Sequence, residues 1–149
     1  MKEIILKRIE AYLSSGDIQL GDVESSNKFN DYVSEAYPWI GSHIIWEQVR
    51  DIQRIDLLSS NHEIKKFINS SRLGSYSTVA MVYSASEECL FMSLPFLIEN
   101  VEFLTTLVIF QCYFVGVRKT DDQYELICED FVEYEFNSDY RLTGKTARI

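Results

Sequence analysis

The feature that most constrains this chain is a pair of adjacent runs in its second half. "LVIFQCYFVGV", at 107–117, is apolar except for Gln111 and Gly116. "QYELICEDFVEYEF", at 123–136, alternates apolar and polar residues nearly throughout. A short run that is apolar on both faces reads as a buried strand. The alternating run reads as a strand with one face inward and one outward. The polar link "RKTDDQ" between them predicts a hairpin. The C-terminal half is therefore committed to a sheet.

Two further stretches extend it. "YSTVAMVYS" predicts a central strand, and "CLFMSL" a partner strand after the turn "SASEE". "PFLIENVEFLTTL" admits a helix opened by Pro95, with Leu97, Val101 and Leu104 on one face, or a strand as second choice. The N-terminal half has the helical period instead. Leu6, Ile9 and Leu13 share a face in residues 2–14, with Gly16 as a stop. Residues 15–26 read as a loop. Phe29, Tyr32, Val33, Ala36 and Tyr37 form an apolar face that ends at Pro38. "GSHIIWEQVRDIQRIDLL" predicts a third helix capped by Ser42, with Ile45, Val49 and Ile52 on one side; a short strand at 43–46 is the alternative. Ser60 and Glu63 spell a capping box for a helix burying Ile64, Phe67 and Ile68 and stopped by Gly74. Helices first and hairpins after predict an α+β fold, with N-terminal helices on a mainly antiparallel sheet formed by the C-terminal half.

The 149 residues fit one domain spanning 1–149. A chain of this size buries roughly 68–70% of its unfolded surface, enough for a core without staples. Charge narrows the function classes. Fourteen Lys and Arg against 23 Asp and Glu leave a net of −9. Nucleic-acid binding needs cations to neutralise phosphates, so it is not expected. Docking on an anionic membrane is disfavoured for the same reason, and the apolar run is too short for a span of about 20 residues. "MKEIILKRIEAYLSS" is charged throughout and does not read as a signal peptide, so a cytoplasmic protein is expected. The odd, scattered set Cys89, Cys112 and Cys128 reads as buried reduced thiols.

Catalytic patterns are sparse. His43 and His62 are the only histidines, no nucleophile elbow or S-x-x-K occurs, and six glycines form no phosphate loop. The two histidines have no zinc spacing, and Asp121–Asp122 lack a calcium-loop pattern. No cofactor is expected. Trp39 and Trp46, around "PWIGSHIIW", read as packing residues or as interface anchors.

The acids are concentrated. Asp121, Asp122, Glu125, Glu129, Asp130, Glu133, Glu135 and Asp139 fall in one window that holds no Lys or Arg. Strand alternation places Glu125, Glu129, Glu133 and Glu135 outward on one face, with a bulge or bend expected near Asp130. Tyr124, Phe131 and Tyr134 would add aromatic area beside these charges. Such a face can simply protect a strand from mispairing. It also suits a basic partner, because like charges along one face repel and a cationic surface would relieve them.

With the helix-then-sheet order, the aromatic segment "YPWIGSHIIWEQV" and the acidic hairpin "TDDQYELICEDFVEYEF", the chain resembles the immunity proteins of bacterial polymorphic toxins, including contact-dependent growth inhibition systems. The likeness is general and covers the whole chain. It implies a non-enzymatic, cytoplasmic protein that binds and neutralises one cognate toxin domain, often a nuclease. The partner-binding residues read from the stripe are Asp121, Asp122, Tyr124, Glu125, Glu129, Phe131, Glu133, Tyr134, Glu135 and Asp139. The rival readings are an adaptor or small-ligand module, with a pocket between helices and sheet lined by Tyr37, Trp39 and Trp46, and a carboxylate hydrolase. Oligomeric state is left open.

Overall fold

A computed structural model describes residues 2–56, 61–108, 111–136 and 142–147. Helices α1 (Lys2–Arg8) and α2 (Glu10–Ser15) open the chain. The α2 stop is Gly16, whose φ of 85° is a left-handed cap that glycine adopts without steric cost. Strand β1 (Ile18–Leu20) follows, then α3 (Val23–Ala36). Asp22 caps α3 by accepting from the Ser25 N–H at 2.7 Å. The hairpin β2 (Trp39–Ile40) and β3 (His43–Ile44) leads through a 3-10 turn, Trp46–Gln48, to β4 (Ile52–Asp56). Next come α4 (Asn61–Ser70), a 3-10 turn at Arg72–Ser75, β5 (Thr78–Val82), β6 (Leu90–Ser93) and α5 (Leu94–Thr105). Strands β7 (Gln111–Thr120), β8 (Gln123–Phe136) and β9 (Leu142–Ala147) complete the order.

The α+β expectation holds. Among the described residues, seven strands form one sheet ordered β1-β6-β5-β7-β8-β9-β4, with every neighbour antiparallel. The C-terminal half supplies the body of this sheet. The N-terminal half adds its two edges, β1 and β4, which periodicity had not shown. Pro95 does open a helix, and Ser93 caps it by accepting from the Phe96 N–H.

Helices cover both faces. On one, Ile5 and Ile9, Phe67 and Ile68 of α4, and Leu97 and Leu104 of α5 meet Val79, Met81, Phe114 and Val132. On the other, Phe29 and Val33 of α3, with Ile44 and Trp46, meet Ala80, Val82, Val115, Val117 and Phe131. Each large apolar side chain buried this way contributes about 1.5–3 kcal/mol. Two covered faces are why β5 and β7 read as unbroken apolar runs.

The third helix expected from Ser42 onward does not form over the described residues 42–56. Its apolar spacing is helical, but five of its apolar residues, Ile44, Ile45, Val49, Ile52 and Ile55, are β-branched, which disfavours helix and favours strand. Gly41 (φ 59°), in the turn between β2 and β3, and Asp51 (φ 52°), just before β4, are left-handed and break any helical run. The alternative strand at 43–46 is observed in part, as β3. Residues 15–26 are not a loop either, since β1 and the first turn of α3 lie there. Helix α4 ends at Ser70, four residues before Gly74. Ser60, the proposed cap, lies outside the described residues.

Candidate partner-binding surface

The hairpin β7–β8 carries the acid-rich stretch, and its turn is Asp121–Asp122, with Asp121 at φ 54°. Asp tolerates this left-handed conformation better than most residues. Pairing then proceeds in register to Gly116↔Ile127, and resumes at Val115↔Phe131. One step on β7 spans four on β8, so Cys128, Glu129 and Asp130 form a three-residue bulge. The bulge expected near Asp130 is there, and its odd length has a consequence. It swaps which residues of β8 face which side. Before it Leu126, and at its start Cys128, point toward α3; after it, Phe131 does, and Val132 and Tyr134 point to the opposite face.

This swap dismantles the expected stripe. Glu133 is 1% exposed rather than outward-facing, and Phe131 and Tyr134 are 2% and 3% exposed, in the cores on opposite faces of the sheet. None of these three is available to a partner. Glu125 and Glu129 remain exposed, as do Asp121 and Asp122, and Tyr124 is half-buried. Glu135 is mostly covered and pairs with Lys145 at 3.0 Å and with His43 Nδ1 at 3.3 Å. Asp139 lies outside the described residues.

The window lacks cations in sequence, but the fold supplies them. Asp130, at the bulge, pairs with Arg72 Nε at 2.7 Å and accepts from the Tyr76 hydroxyl. Lys28 of α3 approaches Glu125 at 3.7 Å, both side chains exposed. Arg118 is the cross-strand neighbour of Glu125. The expected self-repulsion along one strand face is thus relieved within the chain. Tyr76 is held in place by Gly116: a Cβ there would lie 2.7 Å from its ring. Burial first, and the bond to Asp130 second, push the Tyr76 phenol up to about 12.

Glu133 sits in a different environment. Its Oε1 accepts from the Trp46 indole at 3.0 Å, and Oε2 has no direct hydrogen-bond partner among the described residues. Burial pushes its carboxyl above the usual range. The Trp46 bond opposes that, neighbouring Glu135 reinforces it, and Tyr113 and Lys145 oppose it more weakly.

What remains accessible converges at one end of the sheet. A groove of about 640 Å³ runs between the start of α3 and the β7–β8 turn. Asp22, Glu24 and Asp122 line it together with Lys28, against apolar area from Leu20, Phe91 and Tyr124. Tyr124 packs on Phe91 with centroids 4.7 Å apart, and Lys119 Nζ lies 5.6 Å from its ring. Leu20 is 45% exposed, one of few large apolar side chains left in solvent. The chain can pass this close to β6 because residue 21 is glycine. A Cβ there would lie 2.5 Å from Cys89 Sγ, and the Gly21 N–H donates to the Cys89 carbonyl at 2.7 Å. Of the predicted surface, Asp122 and Tyr124 reach this groove, with Asp121 and Glu125 their immediate neighbours in the chain. Leu20, Asp22, Glu24 and Phe91 were missed. The signal for Asp22 was an acceptor side chain immediately before the α3 period, an N-cap pattern.

The groups that could carry chemistry are placed as follows. All three cysteines are free and buried. Burial raises each thiol, Cys89 to about 11. A thiol held protonated is a poor nucleophile. His43 and His62 are exposed, on β3 and α4. Among the described residues, no group of three or more His, Cys, Asp or Glu could hold a metal ion, and no helix is long and apolar enough to cross a membrane. No protein-family model matches the chain, and a search of curated proteins returns no match.

Proposed function

We propose that this chain is a non-enzymatic binding protein of the immunity type, which captures a basic toxin domain in the cytoplasm through the groove between α3 and the β7–β8 turn. The observation that carries the reading is the meeting of Asp22, Glu24 and Asp122 around exposed apolar area at Leu20 and Tyr124. Acids without matching cations steer a basic partner and speed its approach. Desolvated aromatic and aliphatic area supplies the affinity that exposed charges do not. The three lining acids against one lysine leave the groove at −2 (1 − 3), and Asp121 lies next to it in the turn. The protonated, buried thiols favour binding over nucleophilic catalysis. A nuclease-type toxin fits because its active site must be basic to hold phosphates.

The test is charge reversal at exposed positions. Glu24→Lys with Asp122→Lys should slow association with a basic toxin domain encoded beside this chain by about 10-fold or more, and flatten its salt dependence. Growth rescue on co-expression should fall in parallel. Unchanged association and rescue in a folded double variant would remove the groove as the interface. Reversing Glu133 would not test docking, because that side chain is buried.

A further inference from the structure

Strand β1 is an outer edge of the sheet: among the described residues it pairs with β6 alone. An edge strand presents unpaired N–H and C=O groups to other chains. Which groups these are follows from the register. Ile18, Gln19 and Leu20 oppose Met92, Phe91 and Leu90. One step further, Gly21 donates its N–H to the Cys89 carbonyl at 2.7 Å. Along an antiparallel pair, residues alternately exchange hydrogen bonds with the partner and turn their backbone groups away from it. Gln19 and Gly21 therefore face β6, and Ile18 and Leu20 turn their N–H and C=O outward. The β5–β6 pairing agrees. Leu94 donates its N–H to the Ser77 carbonyl at 3.0 Å, which turns Met92 and Leu90 toward β5 and away from β1.

Ile18 is 1% exposed, so its outward groups are covered. Leu20 is 45% exposed, and neither of its backbone groups has a partner among the described residues. The open edge is thus one residue long, and it lies in the acidic groove. Its two chain neighbours each border a concavity. Gly21 lines the groove itself, with Asp22, Glu24 and Asp122. Gln19 lines a smaller hollow of about 200 Å³, with Asp17 as the charged residue. The two concavities meet at Phe91 and Tyr124, which line both. Gln19 and Gly21 share the α3 side of the strand, since Phe91, opposite Gln19, belongs to that core.

Resting on the reading of this groove as the interface, we infer that the partner enters it as an extended basic segment, which adds antiparallel to β1 at Leu20 and carries Lys or Arg on both sides of the paired residue. The paired residue donates its N–H to the Leu20 carbonyl and accepts from the Leu20 N–H. Its side chain falls beside that of Leu20, which favours an apolar residue there. Its two neighbours project to the opposite side of the strand, one over Asp17 and one over Asp22, Glu24 and Asp122. Main-chain bonds fix the segment, and the concavities for alternate side chains select it. The acids make that selection basic, because an acidic segment would add like charge to carboxylates that already repel. A partner helix cannot form this pairing, since its backbone groups are bonded within the helix.

The experiment titrates the full chain at low salt with the peptide acetyl-Thr-Lys-Val-Lys-Thr-amide and follows the backbone amides of Leu20, Glu24 and Asp122 by NMR. Binding should saturate in the millimolar range, as expected for so small a contact. The Leu20 amide proton should move downfield as its hydrogen bond forms. Three control peptides each remove one element: N-methylation of the valine removes the backbone donor, the order Thr-Lys-Lys-Val-Thr breaks the alternation, and Thr-Glu-Val-Glu-Thr reverses the charge. Each should bind about 10-fold more weakly or worse. Leu20→Pro deletes the outward N–H without touching a bond to β6, a change that an edge strand tolerates, and should weaken the parent peptide to the same degree. The N-methylated peptide asks the same question of the unaltered chain. The inference is overturned if the parent peptide leaves the Leu20 amide unmoved, or if N-methylation or reordering costs nothing. It is also overturned if the Leu20 amide shifts with protein concentration alone, which would put a second copy on β1. Failure of the groove reads differently: Glu24→Lys with Asp122→Lys would then bind the toxin domain undiminished. Loss of the parent peptide in that double variant, with no loss on N-methylation, keeps the groove and removes the strand pairing.

Discussion

Glu133→Gln should make this protein more stable at neutral pH, and the gain should vanish in acid. Glu133 is 1% exposed and its Oε1 accepts from the Trp46 indole at 3.0 Å. Lys145, its cross-strand neighbour on β9, pairs with Glu135. Burial raises the carboxyl in the folded state above its value in the unfolded chain. The sign follows from linkage: below the unfolded pKa both states are protonated and the group costs nothing. As pH rises through the unfolded pKa toward the folded one, the unfolded chain sheds its proton more readily and stability falls. Above the folded pKa the penalty is full and constant. Glutamine keeps the acceptor for the Trp46 indole and removes the charge. A buried polar group lacking partners costs about 1–3 kcal/mol, so relief should fall in that range. For a chain of this length each kcal/mol moves Tm by about 2–4 °C. Thermal unfolding followed by circular dichroism, from pH 4 to pH 8, should show the two Tm curves converging at the acid end and separating above it. If Glu133→Gln is less stable at pH 7, or differs from the parent equally at every pH, then the carboxylate is not the buried liability described.

Other outcomes follow from the same geometry. Gly116→Ala should cost about 1–3 kcal/mol by driving a methyl into the Tyr76 ring, and a smaller residue at 76 should restore part of the loss in denaturant unfolding. Arg72→Ala and Asp130→Asn should be non-additive, with a coupling of about 0.5–3 kcal/mol in a double-mutant cycle, because each leaves the other beside the bulge without its partner. Cys89, Cys112 and Cys128 should resist a thiol reagent at pH 8 in the native state and react fully in denaturant; rapid native labelling of all three would contradict their burial. Leu20→Asp in the groove should leave Tm within about 1 °C, since an exposed side chain contributes little to folding, and should weaken binding of the basic domain.

Much of the architecture was legible because its signals are local. Pro95 after a capping Ser93, the apolar face of α3, and the double-sided apolarity of β5 and β7 each lie within a few residues. The failures share a cause. Strand β4 carries a spacing compatible with a helix, and what decides against it is its pairing with β9, some 90 residues away; β2 and β3 pair only with each other. Strand β1 has three residues, too few for any period to show, and exists because β6 is there to pair with it.

The acid-rich stretch shows the division most sharply. Composition, alternation and the Asp130 interruption established an amphipathic strand, a bulge, and a chain that carries excess negative charge. They could not say which acids face water. That depends on how many residues β8 loops out against β7 and on helices covering both faces: three extra residues turn Phe131 and Glu133 toward the α3 side and Tyr134 toward the other helical layer. Nor could they say which acids are compensated. Arg72, Lys28 and Lys145 are distant in sequence or beyond the window, and only folding brings them to Asp130, Glu125 and Glu135. Side-chain chemistry is written residue by residue, whereas register and charge pairing are set by contacts between strands and helices far apart in the chain.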